Sequence, residues 1–176
     1  EHFFLRNELI KIINPHHFKT AESLNTHRYI AVHIRMGDFL KSSNESVLRN
    51  GAWNYRIPKR WYITTIEKIR KITNLPIYVF SDAEVSDLVY VKSFHNCERV
   101  YLGSSISDML ALSNAQLLVA SSSTFSMWAS FLGQIPTIWF PGQLRQKIIN
   151  DNTIFEGELD YDDNLPLSLQ KVLADD

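Results

Sequence analysis

A cation and a carboxylate follow the first strongly apolar segment of the chain. The segment Tyr29–Val32 leads directly into His33, Arg35, Gly37 and Asp38. If this segment is a buried strand, these residues lie at its carboxyl end, where open α/β sheets bind their ligands. Arg35 is the leading candidate, because its guanidinium stays charged and offers paired donors that match phosphate oxygens. A purely structural Arg35–Asp38 ion pair is the alternative, and Gly37 suits a turn that needs positive φ or close backbone approach.

A second polar cluster follows another apolar segment. Leu117–Ala120 is followed by Ser121–Ser126, which opens a predicted helix. The candidate ligand-binding residues in it are Ser123, Thr124, Phe125 and Ser126. Hydroxyl and free N–H groups at a helix N-terminus favour an anion, although ordinary helix capping explains the same residue types. Two such clusters at strand ends predict one site of nucleotide size.

Three further polar residues admit both a structural and a functional interpretation. Asp82 and Asp108 each stand near the predicted start of a helix, where an N-cap is the ordinary role. Their carboxylates are equally suited to accept hydrogen bonds from ribose hydroxyls or a base edge. His33 either donates to a ligand or is a satisfied, partly buried histidine.

Apolar segments of four to six residues alternate with helical patterns along the chain. The strands are predicted over 29–34, 76–80, 99–102, 117–120 and 137–140. The helices are predicted over 3–13, from 58 to 72, after Ser81-Asp82, from 107 to 115, from 124 to 132, and after Gly142 to about 150. This alternation favours an α/β fold: a doubly wound, mostly parallel five-stranded sheet in one domain over 1–176. Residues 41–58 are expected to be a long loop, and the acidic stretch 156–163 a solvated one.

Composition excludes several function classes. With 18 basic and 19 acidic residues the net charge is −1, so no global field draws the protein to nucleic acid or anionic lipid. Cys97 is the only cysteine, which excludes an internal disulfide and a cysteine-based zinc site. The sequence has no phosphate-loop or dinucleotide-binding glycine motif, and it has no apolar stretch long enough to span a bilayer. We therefore expect no metal and no cofactor.

Three blocks of the sequence resemble the fucosyltransferase superfamily, which includes the α-1,2-, α-1,6- and protein O-fucosyltransferases. The stretch 33–38 resembles the His-x-Arg-Arg-Gly-Asp motif, and 78–82 is similar to the segment that ends in Phe-Ser-Asp. The stretch 108–130 is similar to the block that contains Asn-Ser-Thr-Phe-Ser-Trp-Trp-Ala. The chain departs from these motifs at Met36, which replaces the second arginine, and at Met127, which replaces the first tryptophan.

The resemblance implies the carboxy-terminal, donor-binding half of a GT-B glycosyltransferase with two Rossmann-like domains. It implies metal-independent, inverting transfer of L-fucose from GDP-fucose to a glycan hydroxyl, with the acceptor-side domain outside these residues. Arg35 would bind the diphosphate together with the helix start at 123–125. His33 and Asp108 would contact the guanosine, with Asp82 close by, and Asp38 and Glu45 are candidates for the general base.

Two rival functions remain open at the level of sequence. One is a non-catalytic nucleotide-sugar or carbohydrate-binding module, which Met36 and Met127 suggest. The other is a flavodoxin-like regulatory or flavin domain. The lone cysteine and the lack of a signal sequence favour a cytoplasmic protein, either free or membrane-associated; a eukaryotic parent would instead place the domain in the Golgi lumen.

Overall fold

Six parallel strands form the centre of the protein. The structure is a computed structural model that describes residues 1–174. The strands are β1 (Ile30–Ile34), β2 (Ile77–Ser81), β3 (Cys97–Arg99), β4 (Leu117–Val119), β5 (Thr137–Trp139) and β6 (Glu156–Glu158). Their order across the sheet is β3-β2-β1-β4-β5-β6, and every neighbouring pair is parallel. The predicted doubly wound fold is confirmed, with six strands where five were expected.

Helices cover both faces of the sheet. They are α1 (His2–Ile12), α2 (Pro15–Glu22), α3 (Ser46–Arg49), α4 (Lys59–Arg70), α5 (Ser105–Ser113), α6 (Thr124–Gly133) and α7 (Leu167–Ala174), with a 3-10 helix over Val85–Ser93. Alternate residues of β1 point to opposite faces: Ile30, Val32 and Ile34 pack with α4 and α7, and Ala31 packs with α2, α5 and α6. The central strands β1, β4 and β5 are buried on both faces and are therefore apolar except at His33 and Thr137.

Several predicted boundaries are wrong, for local reasons. The third strand ends at Arg99, and the helix after it begins at Ser105, where Ser104 is the N-cap. The helix expected after Ser81 and Asp82 is the 3-10 helix, and it begins only at Val85. The sequence patterns did not predict α2, which begins at Pro15 because proline is well suited to the first position of a helix.

The largest correction concerns the chain after β5. Residues 143–150 form no helix, and part of the expected acidic loop is the edge strand β6. The two errors have one cause. Glu156 accepts hydrogen bonds from the N–H groups of Ile148 (2.7 Å) and Ile149 (3.0 Å), and Glu158 accepts one from Leu144 (2.8 Å). These acidic side chains hold residues 144–149 in an irregular conformation, because they satisfy the N–H groups that a helix would otherwise use.

Glu156→Ala is expected to lower the free energy of unfolding by about 1.5–3 kcal/mol, because it leaves two N–H groups without their charged acceptor. Ile149 and Glu156 are both buried, so water does not easily replace the lost bonds. Glu67→Ala, on the exposed face of α4, is the matched control and should change that energy by less than about 0.5 kcal/mol. Urea denaturation of the two variants measures the difference, and equal effects would contradict this role of Glu156.

Candidate functional site

The two polar clusters of the sequence meet in one cleft. β1 and β4 are neighbours, yet the chain runs outward from them in opposite directions across the sheet. At such a switch point the loops after the two strands separate and leave a crevice at their carboxyl ends. A cleft of about 550 Å³ lies there. Its lining residues are His33, Arg35, Asp38, Phe39, Trp53, Asn54, Ser81, Asp82, Tyr101, Ser105, Asp108, Ser123, Thr124 and Phe125.

Arg35 is held at the cleft by two carboxylates. Its Nη1 lies 2.6 Å from Oδ2 of Asp82, and its Nη2 donates to Oδ1 of Asp38 at 2.9 Å. The Asp38 side chain is 75% exposed, whereas that of Asp82 is 27% exposed. Water competes strongly for the first pair and weakly for the second. Asp82 therefore anchors the guanidinium, and Asp38 is an exchangeable partner.

Asp82 also fixes the turn that carries Arg35. Its Oδ1 accepts from Met36 N–H at 2.7 Å, and its Oδ2 accepts from Gly37 N–H at 3.0 Å. A side chain at position 37 would overlap the Asp82 carboxylate, so Gly37 is required for close approach rather than for positive φ. The N-cap role considered for Asp82 is wrong, because its oxygens are directed to this turn.

His33 is a buried, oriented histidine at the floor of the cleft. Its Nδ1 lies 2.7 Å from Oγ of Ser126 and 3.0 Å from Oγ of Ser121, and its ring packs on Phe125 with centroids 5.1 Å apart. Within residues 1–174 its Nε2 has no hydrogen-bond partner, which leaves that edge of the ring for the cleft. Burial lowers the pKa of His33 to about 4, so the ring is neutral at pH 7.

The start of α6 offers free backbone donors. Ser123 is the N-cap of this helix, and its hydroxyl accepts from Ser126 N–H at 3.4 Å. In the described part of the chain, the N–H groups of Thr124 and Phe125 have no acceptor, and both residues line the cleft. Because the helix dipole adds partial positive charge at this end, these N–H groups form a second anion-binding element in the cleft that Arg35 lines.

Asp108 lies one turn inside α5 and is not its N-cap. Its Oδ1 accepts from Leu102 N–H at 2.9 Å. Burial raises the pKa of this carboxyl, and the hydrogen bond from Leu102 opposes the shift. The second oxygen has no partner within residues 1–174, so Asp108 supplies the cleft with an acceptor that suits a base edge or a hydroxyl.

The structure brings most of the predicted site residues together, with three exceptions. Ser126 is fully buried beneath His33, so it positions that ring and does not reach the cleft. Gly37 belongs to the turn that Asp82 holds and does not line the cleft. Glu45, a candidate base, also lies outside the lining, because Tyr161 donates to it at 2.7 Å and Arg49 lies 3.7 Å away. Of the two candidate bases only Asp38 stands at the cleft.

Sequence reasoning missed the lining residues of the long loop after β1. Trp53 and Asn54 line the cleft, as do Phe39, Ser81, Tyr101 and Ser105. The loop is held in place by Arg56, which donates to the carbonyls of Phe39 (2.9 Å) and Gly37 (3.3 Å). The one sign of this role in the sequence was Trp53, an aromatic residue in a loop whose length is typical of functional loops.

The charges of the cleft lining are unequal. Arg35 is the one cation among the described residues that line the cleft, whereas Asp38, Asp82 and Asp108 are acidic.

Within residues 1–174 no group of three or more histidine, cysteine or acidic side chains is arranged to hold a metal ion. No helix in the same part of the chain has the length and apolar character that crossing a bilayer requires.

Asp82→Asn is expected to lower the free energy of unfolding by about 1.5–3 kcal/mol, because it removes an ion pair and weakens two hydrogen bonds to a carboxylate. Asp38→Asn, which also removes a carboxylate partner of Arg35, should cost less than about 1 kcal/mol because Asp38 is exposed. Chemical denaturation of both variants compares them. An equal loss would show that Asp82 is only another surface partner of Arg35.

His33 is expected to make folding sensitive to acid. The unfolded chain binds a proton at His33 near pH 6.5, but the folded chain does so only near pH 4, so its contribution is complete above pH 6.5 and falls as the pH drops. Between pH 7 and pH 5 this loss is on the order of 2 kcal/mol. His33→Gln should lose correspondingly less stability over the same interval in denaturation measurements. Parallel pH profiles for variant and wild type would contradict the low pKa.

Comparison with known proteins identifies the family to which this chain belongs. The model of the family described as Glycosyl transferase family 11 matches residues 1–144. A solved structure of POFUT1 in complex with GDP shares 15% identity with this chain, with a TM-score of 0.45. The match covers 72% of this chain and 46% of that one, so this chain spans less than half of its length. The search of curated proteins finds no match. The family match includes both clusters of the cleft, and the chain belongs to glycosyl transferase family 11, as its resemblance to the fucosyltransferases predicted.

Proposed function

We propose that this chain is the donor-binding part of an inverting, metal-independent fucosyltransferase that uses GDP-fucose, with an acceptor-side domain beyond these residues. One observation carries the proposal: Arg35 and the free N–H groups at the start of α6 line the same cleft at the switch point of the sheet. A guanidinium and a helix N-terminus are a matched pair of donors for the oxygens of a diphosphate. The choice of GDP-fucose rests on the family.

Diphosphate binding has to overcome the acidic lining of the cleft. Asp38 is the partner of Arg35 that water already competes for, so the phosphate oxygens replace it while Asp82 keeps its hold on the guanidinium. The exchange keeps Arg35 paired on both sides and releases a carboxylate at the mouth of the cleft. Asp38 then becomes available as the general base. Glu45 does not suit this role, because it accepts a hydrogen bond from Tyr161 outside the cleft.

Two further residues of the cleft contact other parts of the nucleotide. Asp108, which also lines the cleft, accepts a hydrogen bond from the guanosine, and Nε2 of His33 contacts the nucleotide. The acceptor hydroxyl attacks the anomeric carbon and loses its proton to the base, and the bond from that carbon to the diphosphate oxygen breaks as GDP leaves. Arg35 and the N–H groups of Thr124 and Phe125 stabilise the negative charge that grows on the diphosphate.

A non-catalytic nucleotide-sugar-binding module is the second candidate. Met36 supports it, because this residue packs in the core below the turn and supplies no second cation to the cleft. The two candidates share the donor site and differ in turnover. Transfer or hydrolysis of GDP-fucose by the full-length protein distinguishes them, since a pure binding module does neither.

The test is calorimetric titration with GDP, GDP-fucose, GDP-mannose and UDP-glucose without added metal. GDP and GDP-fucose are expected to bind, and Arg35→Ala should weaken both at least tenfold, because a hydrogen bond between charged groups contributes about 1.5–3 kcal/mol. In the full-length enzyme the same change should lower turnover at least a hundredfold, as loss of a preorganised charge-stabilising donor typically does.

Arg60→Ala is the matched control for the loss of one positive charge. Arg60 is exposed and stacks on Tyr161, outside the cleft. Its removal should leave GDP binding unchanged within about twofold, because exposed charges at a distance are screened. Wild-type GDP affinity in Arg35→Ala would remove Arg35 from the site. Silence of the wild type toward all four nucleotides would contradict a self-sufficient donor site.

A further inference from the structure

Three serine hydroxyls and one imidazole form a hydrogen-bonded cluster at the carboxyl ends of β1 and β4. Its members are His33, Ser121, Ser123 and Ser126, and all four are buried. Nδ1 of His33 lies 2.7 Å from Oγ of Ser126 and 3.0 Å from Oγ of Ser121. Oγ of Ser121 also lies 3.1 Å from Oγ of Ser123 and 3.1 Å from Oγ of Ser126. Each of these four contacts is of hydrogen-bond length and needs a hydrogen between its two heavy atoms.

The direction of one contact limits what the others can do. The angles between Ser121 and Ser123 make the Ser121 hydroxyl the donor. Because a serine has a single O–H hydrogen, Ser121 can only accept from His33 and from Ser126. The backbone occupies two further acceptor positions: Ser121 N–H donates to Oγ of Ser126 at 3.0 Å, and Ser126 N–H donates to Oγ of Ser123 at 3.4 Å.

Only a proton on Nδ1 of His33 supplies a hydrogen to every contact of the cluster. Without it, the Nδ1 lone pair faces the Ser121 oxygen at 3.0 Å with no hydrogen between them. Two buried acceptors directed at each other are unfavourable, because neither is satisfied. With the proton on Nδ1, this N–H is shared between Ser126 and Ser121, and the Ser126 hydroxyl donates to Ser121. The ring is neutral at pH 7, so no proton remains for Nε2.

The two ends of the cluster are open to the cleft, because His33 and Ser123 both line it. Nε2 of His33 has no hydrogen-bond partner within residues 1–174 and is not sealed from solvent. At the other end, Oγ of Ser123 accepts from Ser121 and from the Ser126 N–H, so its own hydrogen is the one that the cluster does not use. One end therefore offers a lone pair and the other offers a hydrogen.

We propose that Ser121 and Ser126 are positioning residues that hold His33 in the Nδ1–H tautomer, so that Nε2 is a hydrogen-bond acceptor in the cleft. An acceptor at Nε2 binds an N–H or O–H group of a ligand and repels phosphate oxygens. The Ser123 hydroxyl donates and suits a phosphate oxygen, as do the N–H groups of Thr124 and Phe125. The assignment of ligand groups rests on the proposed function, whereas the tautomer is a property of the protein alone.

Nitrogen NMR of the imidazole rings measures the tautomer directly, because the chemical shift of a ring nitrogen depends on whether it carries a proton. The chain has six histidines, and the spectrum of His33→Gln identifies the His33 signals by their loss. In the free protein at pH 7 we expect a protonated Nδ1 and an unprotonated Nε2. A protonated Nε2, or equal populations of the two tautomers, would overturn the proposal.

Ser126→Ala tests whether the cluster sets the tautomer. It removes the nearest partner of Nδ1, so the tautomer ratio should move about two- to tenfold towards Nε2–H, as the loss of one hydrogen bond predicts. Ser130→Ala is the matched control, because Ser130 is also a fully buried serine of α6 but accepts from Thr137 at 3.1 Å. It should leave the ratio unchanged. Equal ratios in the two variants would contradict the positioning role.

Ser121→Ala is a second variant for the case in which Ser126→Ala does not fold. It removes the acceptor of the Ser126 hydroxyl, which is then free to donate to Nδ1. The ratio should again move towards Nε2–H, and an unchanged ratio would contradict the role of Ser121.

Titration with GDP tests the ligand side of the proposal. When GDP binds, the Nε2 signal should move while this nitrogen stays unprotonated, and Ser126→Ala should weaken GDP about two- to tenfold relative to Ser130→Ala. A bound state with a protonated Nε2, or with an Nε2 signal that does not move, would overturn the acceptor role. If GDP does not bind at all, the proposed function fails, and the spectrum of the free protein still decides the tautomer.

Discussion

The candidate site depends on how one carboxylate, that of Asp82, is shared. It comes from the end of β2, pairs with Arg35 after β1, and accepts the N–H groups of the two following residues. Because β1 and β2 are neighbours, this side chain ties the functional turn to the sheet. An arginine on a loop without such contacts would lose conformational entropy when it binds a ligand. Asp82 has already ordered the guanidinium, and Gly37 leaves the space that this contact requires.

The rest of the site follows from the strand order. The N-terminus of α6 faces the same crevice because β4 lies beside β1, on the side opposite β2. Behind this opening, His33 is buried, neutral and oriented by two serine hydroxyls, so the floor adds a directional group without adding charge. The cleft therefore combines one anchored cation, two free backbone N–H groups and an acceptor at Asp108. That combination suits a nucleoside diphosphate, the part of the donor that the proposed function assigns to this cleft.

Acidic side chains also determine the conformation of the chain after β5. Glu156 and Glu158 on the edge strand satisfy backbone N–H groups of 144–149 and keep that segment out of a helix. In this conformation the Cζ of Arg145 lies 4.9 Å from the centroid of the Trp53 ring. Carboxylates thus act twice as internal acceptors for loop backbone, first in the turn that carries Arg35 and then in the segment after β5. In both places a side chain from another element sets the loop geometry.

The sequence by itself determined the fold class, the family and most members of the cleft, because these depend on local patterns. Apolar segments alternating with helical ones specify a parallel sheet, and polar residues at strand ends must lie along one edge of it. Only the tertiary structure decided which partner each polar group takes. The sequence patterns suggested an N-cap for Asp82 and a solvated charge for Glu156, because neither pattern contains the partner. Gly37 lies 45 residues from Asp82, and Ile148 lies 8 residues from Glu156. The same holds for Trp53 and for the buried position of Ser126, since contacts across a fold depend on packing that no short stretch of sequence contains.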